Sequence, residues 1–188
     1  LITGDCLLCE QCFALHTSSC SGIFMQCSPD VTHCVAGLEN STLGTHVILT
    51  AFKDCLDPSQ KAACGREFSF QNSFSSSSSR RTCCDSDFCN GGVVQVPTVD
   101  ETPNEYVCED CYNDQSADDC IGTGKVQCTG KQNTCLNFSG TFSRPGEAGR
   151  LYSGKGCTTR DYCKLGIFNM AGFQAFDYRV KCSPALKR

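Results

Sequence analysis

The long intervals of this chain carry short runs of alternating apolar and polar residues, and none shows the 3.6-residue stripe of an amphipathic helix. In residues 66–74, REFSFQNSF, Phe68, Phe70 and Phe74 share one parity with polar residues between them, which predicts a strand with one packed face. HVILTAF, after the turn-forming ENSTLG, reads as the return strand of a hairpin. The second half repeats the arrangement: LNFSGTF, a turn through SRPGEAG, then RLYSGKG returning. SFSSSSSRR is the one low-complexity patch, and its serines predict a solvated strand or hairpin edge. The pattern predicts an all-β chain.

Cysteine usage changes that picture more than any other feature. Nineteen of the 188 residues are cysteine, a density that marks a disulfide scaffold and a compartment where thiols are not kept reduced. Their positions repeat. Cys9, Cys12, Cys20, Cys27, Cys34, Cys55, Cys64 and Cys83 are matched in order and approximate spacing by Cys108, Cys111, Cys120, Cys128, Cys135, Cys157, Cys163 and Cys182. Between the series lies GGVVQVPTVDETPNE, with the glycines, prolines and carboxylates of an exposed connection. The expected organisation is a first domain over 1–90, a linker over 91–107 and a second domain over 108–188. With no Trp and only twelve Phe, units of this size bury too little apolar surface to fold on a core alone, and disulfides are expected to supply the difference.

Charge narrows the partners. Sixteen basic and twenty acidic residues give a net charge of −4, unsuited to neutralising a phosphate backbone, so no nucleic acid is expected. No run approaches a membrane span, and CSPALKR carries no apolar tail of the kind that directs a lipid anchor, so a secreted, extracellular protein without a membrane anchor is expected. LITGDCLL reads either as the end of a signal peptide or as a mature N-terminus. CEQC at 9–12 and CEDC at 108–111 admit zinc or redox chemistry, but they lie too far apart for a zinc ribbon and no helix follows either. Structural disulfides are the favoured reading, with no metal and no cofactor.

The first cysteine series ends in CCDSDFCN, residues 83–90, a CC-x4-CN closure. With the ten-cysteine order that it completes, this resembles the lymphocyte-antigen/urokinase-receptor family, in which a disulfide-rich palm holds three β-hairpin fingers. The resemblance implies two tandem three-finger domains. It also implies the pairs Cys9–Cys34, Cys12–Cys20, Cys27–Cys55, Cys64–Cys83 and Cys84–Cys89, then Cys108–Cys135, Cys111–Cys120, Cys128–Cys157 and Cys163–Cys182. Cys83 and Cys84 would serve separate partners, as neighbours on a strand point to opposite faces. After Cys182 the closure is missing, so the second palm lacks one staple and its asparagine. Cys6 is left unpaired by this scheme; removal with a signal peptide, capping, intermolecular pairing and alternative pairing within the chain all stay open. The two-domain plan further resembles gamma-type phospholipase A2 inhibitors of snake serum and amphibian sodefrin-precursor-like pheromone proteins. The first implies a secreted phospholipase A2 as protein partner and a homo-oligomer; the second implies a secreted signal acting on a cell-surface receptor.

No catalysis is expected. The three histidines, His16, His33 and His46, belong to no catalytic motif, GEAGRLYSGKG matches no phosphate loop, and Asp118 and Asp119 lack a calcium-loop pattern. Sequons stand at Asn40 and Asn137, in the second finger of each copy, and mark candidate glycosylation sites. Residues 100–119 hold Asp100, Glu101, Glu105, Glu109, Asp110, Asp114, Asp118 and Asp119 with no Lys or Arg; they read either as a patch steering a basic partner or as a solvated edge. In KLGIFNMAGFQAF, Ile167, Phe168, Met170 and Phe173 form either an apolar partner-binding fingertip or a surface packed against the first domain.

Overall fold

The computed structural model describes residues 5–43, 46–95, 98–122, 124–166 and 170–188. The first copy contains β1 (Leu8–Leu15), β2 (Ile23–Gln26), β3 (Cys34–Ser41), β4 (Ile48–Cys55), β5 (Glu67–Gln71) and β6 (Ser76–Cys84). All pairings are antiparallel: β1 with β2, β3 with β4 and β5 with β6 make the three fingers, and β1–β4 and β3–β6 pairing joins them. The second copy contains β7 (Pro103–Asn113), β8 (Gly124–Thr129), β9 (Gln132–Ser143), β10 (Arg150–Thr159), β11 (Gln174–Pro184) and the short β12 (Leu186–Lys187). The stretch read as a linker, 91–107, is therefore strand from Pro103 onward.

The two copies form one sheet. The outer edge of β5 pairs with β10, Gln71 opposite Cys157 and Phe70 opposite Thr158, giving the order β11-β9-β10-β5-β6-β3-β4-β1-β2. An open strand edge of the first copy is thereby satisfied by the second. The approach is close: a Cβ on Gly156 would lie 2.2 Å from the Gln71 carbonyl oxygen, so only glycine fits there.

Nine disulfides join Cys9–Cys34, Cys12–Cys20, Cys27–Cys55, Cys64–Cys83, Cys84–Cys89, Cys108–Cys135, Cys111–Cys120, Cys128–Cys157 and Cys163–Cys182. In each palm two bridges stack so closely that three sulfurs cluster, those of Cys9, Cys27 and Cys55 and those of Cys108, Cys128 and Cys157. These sulfurs are all held in disulfides and offer no thiolate to a metal.

The serine run departs from its predicted role. β6 lies inside the sheet, hydrogen-bonded to β3 and β5, and Ser75 and Ser79 are buried. The small side chains of Ser75, Ser76 and Ser77 leave room beside them for Phe70 and for Phe138, Phe142 and Phe173 of the second copy. Phe68 and Phe70 are buried as the parity predicts, whereas Phe74 lies beyond the end of β5 and is 62% exposed.

Candidate functional site

Two reciprocal contacts lock the copies together. The turn after β5 reaches the second copy: Ser73 donates its backbone N–H and its hydroxyl to the Asp110 carboxylate, Asn72 Nδ2 donates to the Cys111 carbonyl at 3.1 Å, and Phe74 stacks on Tyr112 at 5.9 Å. Asn72 is held for this by accepting the N–H groups of Phe74 and Ser75 on its own Oδ1.

The reverse contact comes from the third finger of the second copy. The backbone N–H groups of Ala171 and Gly172 donate to the two oxygens of Glu39 at 2.7 and 2.8 Å. Glu39 is 1% exposed, and burial pushes its carboxyl up to about 6 against the opposing pull of those two donors and of Arg81. Arg81 stands 3.8 Å away, its guanidinium over the Phe52 ring, and burial lowers its pKa in turn. A Cβ on Gly172 would lie 3.0 Å from Thr50 Oγ1 and 3.2 Å from Glu39 Oε2, so a side chain there would have to displace those two groups slightly. Arg66 bridges to Asp161 at 3.3 Å, and Arg144 Nη1 donates to the His46 carbonyl at 2.8 Å.

Met170 is buried, 4.0 Å from the Tyr162 hydroxyl, and Phe173 packs edge-on against Phe142 in the apolar cluster that spans both copies. Their placement is the packed one of the two that the sequence admits, not a displayed fingertip. Ile167 and Phe168 lie outside the described residues. The acidic stretch is also partly committed: Asp110 is buried on Ser73, Glu109 pairs with Lys155 at 3.0 Å and Glu105 with Lys187 at 3.3 Å. Asp100, Glu101, Asp114, Asp118 and Asp119 form the open part of that stretch, and all five are exposed. Asn40, expected at a turn, lies in β3 and is exposed; Asn137 is half-buried in β9, between β10 and β11.

Within the first palm, Asn90 is 1% exposed and clasps two strands: its Oδ1 accepts the Glu10 N–H at 2.8 Å, and its Nδ2 donates to the carbonyls of Glu10 and Val35, each at 3.0 Å. Beside it, Lys53 Nζ donates to Glu10 at 2.8 Å and to the Gly92 carbonyl, with both charged side chains only 6% exposed. The hydrogen bond from Lys53 holds the Glu10 carboxyl below its ordinary range despite burial. Glu109 and Lys155 occupy the same register positions in the second copy, yet Glu109 is 67% exposed there; among the described residues none covers the pair as 89–92 cover Lys53 and Glu10. In that copy the residues after Cys182 return instead as β12, pairing Leu186 with Val107 and Lys187 with Tyr106.

The arrangement offers rigid, covalently tied surfaces. Sequence comparisons agree with its character. The chain is 33% identical over 86 residues to Protein RoBo-1 of Rattus norvegicus, covering 44% of this chain and 32% of that protein. It is 31% identical over 116 residues to a phospholipase A2 inhibitor of the gamma type from Laticauda semifasciata, covering 58% of this chain and 60% of that one. The matched regions thus span under two thirds of either relative. The crystal structure of mouse TEX101 aligns over 94% of this chain and 98% of its own, at 18% identity and a TM-score of 0.35. The u-PAR/Ly-6 domain pattern matches twice, at residues 5–92 and 104–185, and with three cross-linked fingers in the first copy and their counterparts in the second, this chain belongs to the u-PAR/Ly-6 family.

Proposed function

We propose that the chain is a non-enzymatic, extracellular protein-binding module that inhibits a secreted phospholipase A2. The observation that carries this reading is the reciprocal lock between the copies, in which Ser73 of one grips Asp110 of the other and Glu39 grips Ala171 and Gly172. Loops fixed to such a body bind without a large ordering cost, which suits a stoichiometric binder. The likeness to a phospholipase A2 inhibitor supports that target class, and the exposed carboxylates of the first palm and of 100–119 favour basic enzymes over acidic ones.

The test is titration of the purified protein against a basic and an acidic secreted phospholipase A2, following vesicle hydrolysis and calorimetric binding. Inhibition of the basic enzyme at near-equimolar ratio is expected. Neither inhibition nor binding at micromolar concentration would overturn the target and favour a secreted signal acting on a receptor.

A further inference from the structure

Strand β2 is short, lies at the end of the sheet and, among the described residues, pairs with β1 alone. All four of its residues are exposed. Three are large and apolar: Ile23 is 66%, Phe24 45% and Met25 43% exposed. Because strand side chains alternate, Phe24 projects from one face and Ile23 and Met25 from the other, so an added strand would meet apolar neighbours on both.

The second copy acts as an internal control. Met25 stands opposite Cys9 and Phe24 opposite Glu10; at the same register in the second copy, Val126 stands opposite Cys108 and Lys125 opposite Glu109. Ile23 corresponds to Gly124. The finger therefore forms equally well with Gly, Lys and Val at these positions, and the apolar triad of the first copy is not a requirement of the fold.

Phe88 extends the same surface. It belongs to the palm loop closed by Cys84–Cys89, is 53% exposed, and meets Phe24 edge-on with ring centroids 5.0 Å apart. Its φ of 63° is a conformation that bulky residues rarely adopt. The loop holds it there: Phe88 donates its N–H to the Leu8 carbonyl, and its own carbonyl accepts the Gly91 N–H. An aromatic side chain forced into solvent by a strained backbone points to a ligand rather than to packing.

Charge identifies the occupant. β1, β2 and residues 84–92 contain no Lys or Arg, and the nearby Lys53 is buried on Glu10. Asp85 and Asp87 precede Phe88 in the same loop and are exposed, as is Asp5 just before β1. A second copy of this surface would bring carboxylates against carboxylates.

We infer that the β2 edge, with Phe24 and Phe88, is a docking surface for a cationic partner segment that adds in extended conformation as a further strand. The inference rests on reading the chain as a protein binder and names the surface through which it binds.

The probe is an eight-residue peptide with a Val-Phe-Val-Leu centre and two Lys at each end, compared with the same peptide carrying Glu for every Lys. Binding is followed by amide chemical shifts and by hydrogen exchange in β2, using the full oxidised chain. The Lys peptide should bind, slow exchange of the β2 amides, and bind at least tenfold more tightly than the Glu peptide. Phe24→Lys, which installs the residue the second copy tolerates, should weaken binding at least tenfold, as should Phe88→Ser. Equal affinity for both peptides, or full affinity in either variant, would overturn the inference. So would sedimentation showing a wild-type dimer that Phe24→Lys dissociates, since the occupant would then be a second copy. A phospholipase titration of Phe24→Lys separates the two proposals. Wild-type inhibition that this variant retains in full counts against the surface, whereas peptide binding by a wild type that inhibits no phospholipase counts against the target alone.

Discussion

Glu39 couples the lock between the copies to pH, and the effect can be worked out from its position. Its carboxyl titrates at about 6 in the folded chain against an ordinary 4.5, with burial as the main cause. Between those values the folded state holds a proton that the unfolded state has released, so stability falls as pH rises through this window. At 1.36 kcal/mol per pKa unit, the difference corresponds to about 2 kcal/mol. Below 4.5 the acid is neutral in both states and contributes no penalty; above about 6 the full penalty is present. Glu39→Gln removes the titration while keeping the volume and one acceptor for the Ala171 and Gly172 amides. The stability of wild type minus that of Glu39→Gln should therefore decline by about 2 kcal/mol between pH 4 and pH 7.5. Guanidinium unfolding of the oxidised proteins, followed by far-UV circular dichroism, measures that difference, and the Glu67 carboxyl, which is also raised by burial, cancels because both proteins carry it. A difference independent of pH, or one that grows with pH, would refute the reasoning, as would a Glu39 carboxyl resonance titrating near 4.5.

Asn90→Ala should destabilise the first copy by about 2–4 kcal/mol, since it strands the Glu10 N–H and the Glu10 and Val35 carbonyls in a buried site; hydrogen exchange should accelerate in β1 and β3 and not in β7 and β9. Lys53→Met leaves Glu10 buried without its cation and should cost about 3–5 kcal/mol, whereas Lys155→Met at the equivalent exposed pair should cost about 0–1 kcal/mol; equal losses in unfolding experiments would remove the role assigned to residues 89–92. Expression in secretory cells should give a glycan at exposed Asn40, seen as a mass shift on enzymatic deglycosylation and lost in Asn40→Gln, with Asn137 occupied less fully because its side chain is half-buried in a central strand.

The hairpins of the second finger could be read from the sequence because alternation has the same meaning wherever the strand lies. HVILTAF covers most of β4, and LNFSGTF falls in β9. The serine run could not be read in this way. Its small polar side chains suit a solvated edge and a crowded interior strand equally, and only the pairing of β6 with β3 on one side and β5 on the other makes it interior. Met170 and Phe173 show the same limit, for an apolar turn has one sequence whether it faces solvent or a neighbouring domain. Glu39 carried no local signal at all, since a lone acidic residue next to a sequon gives no hint that its donors lie more than 130 residues away. The β2 difference was legible in the sequence: CSGIFMQC beside CIGTGKVQC sets Ile23 and Phe24 where the other copy has Gly124 and Lys125.

A duplicated chain rich in cysteine faces an error that a single domain does not. During oxidative folding each finger of one copy can be mistaken for its counterpart in the other, because local spacing is nearly the same in both. The β5–β10 junction draws on both copies at once, because the close approach of Gly156 to Gln71 needs β5 and β10 each in its own register. A chain with exchanged bridges would not present that seam, so a substitution at Gly156 should appear first as secreted protein lost to misfolding rather than as a weaker binder.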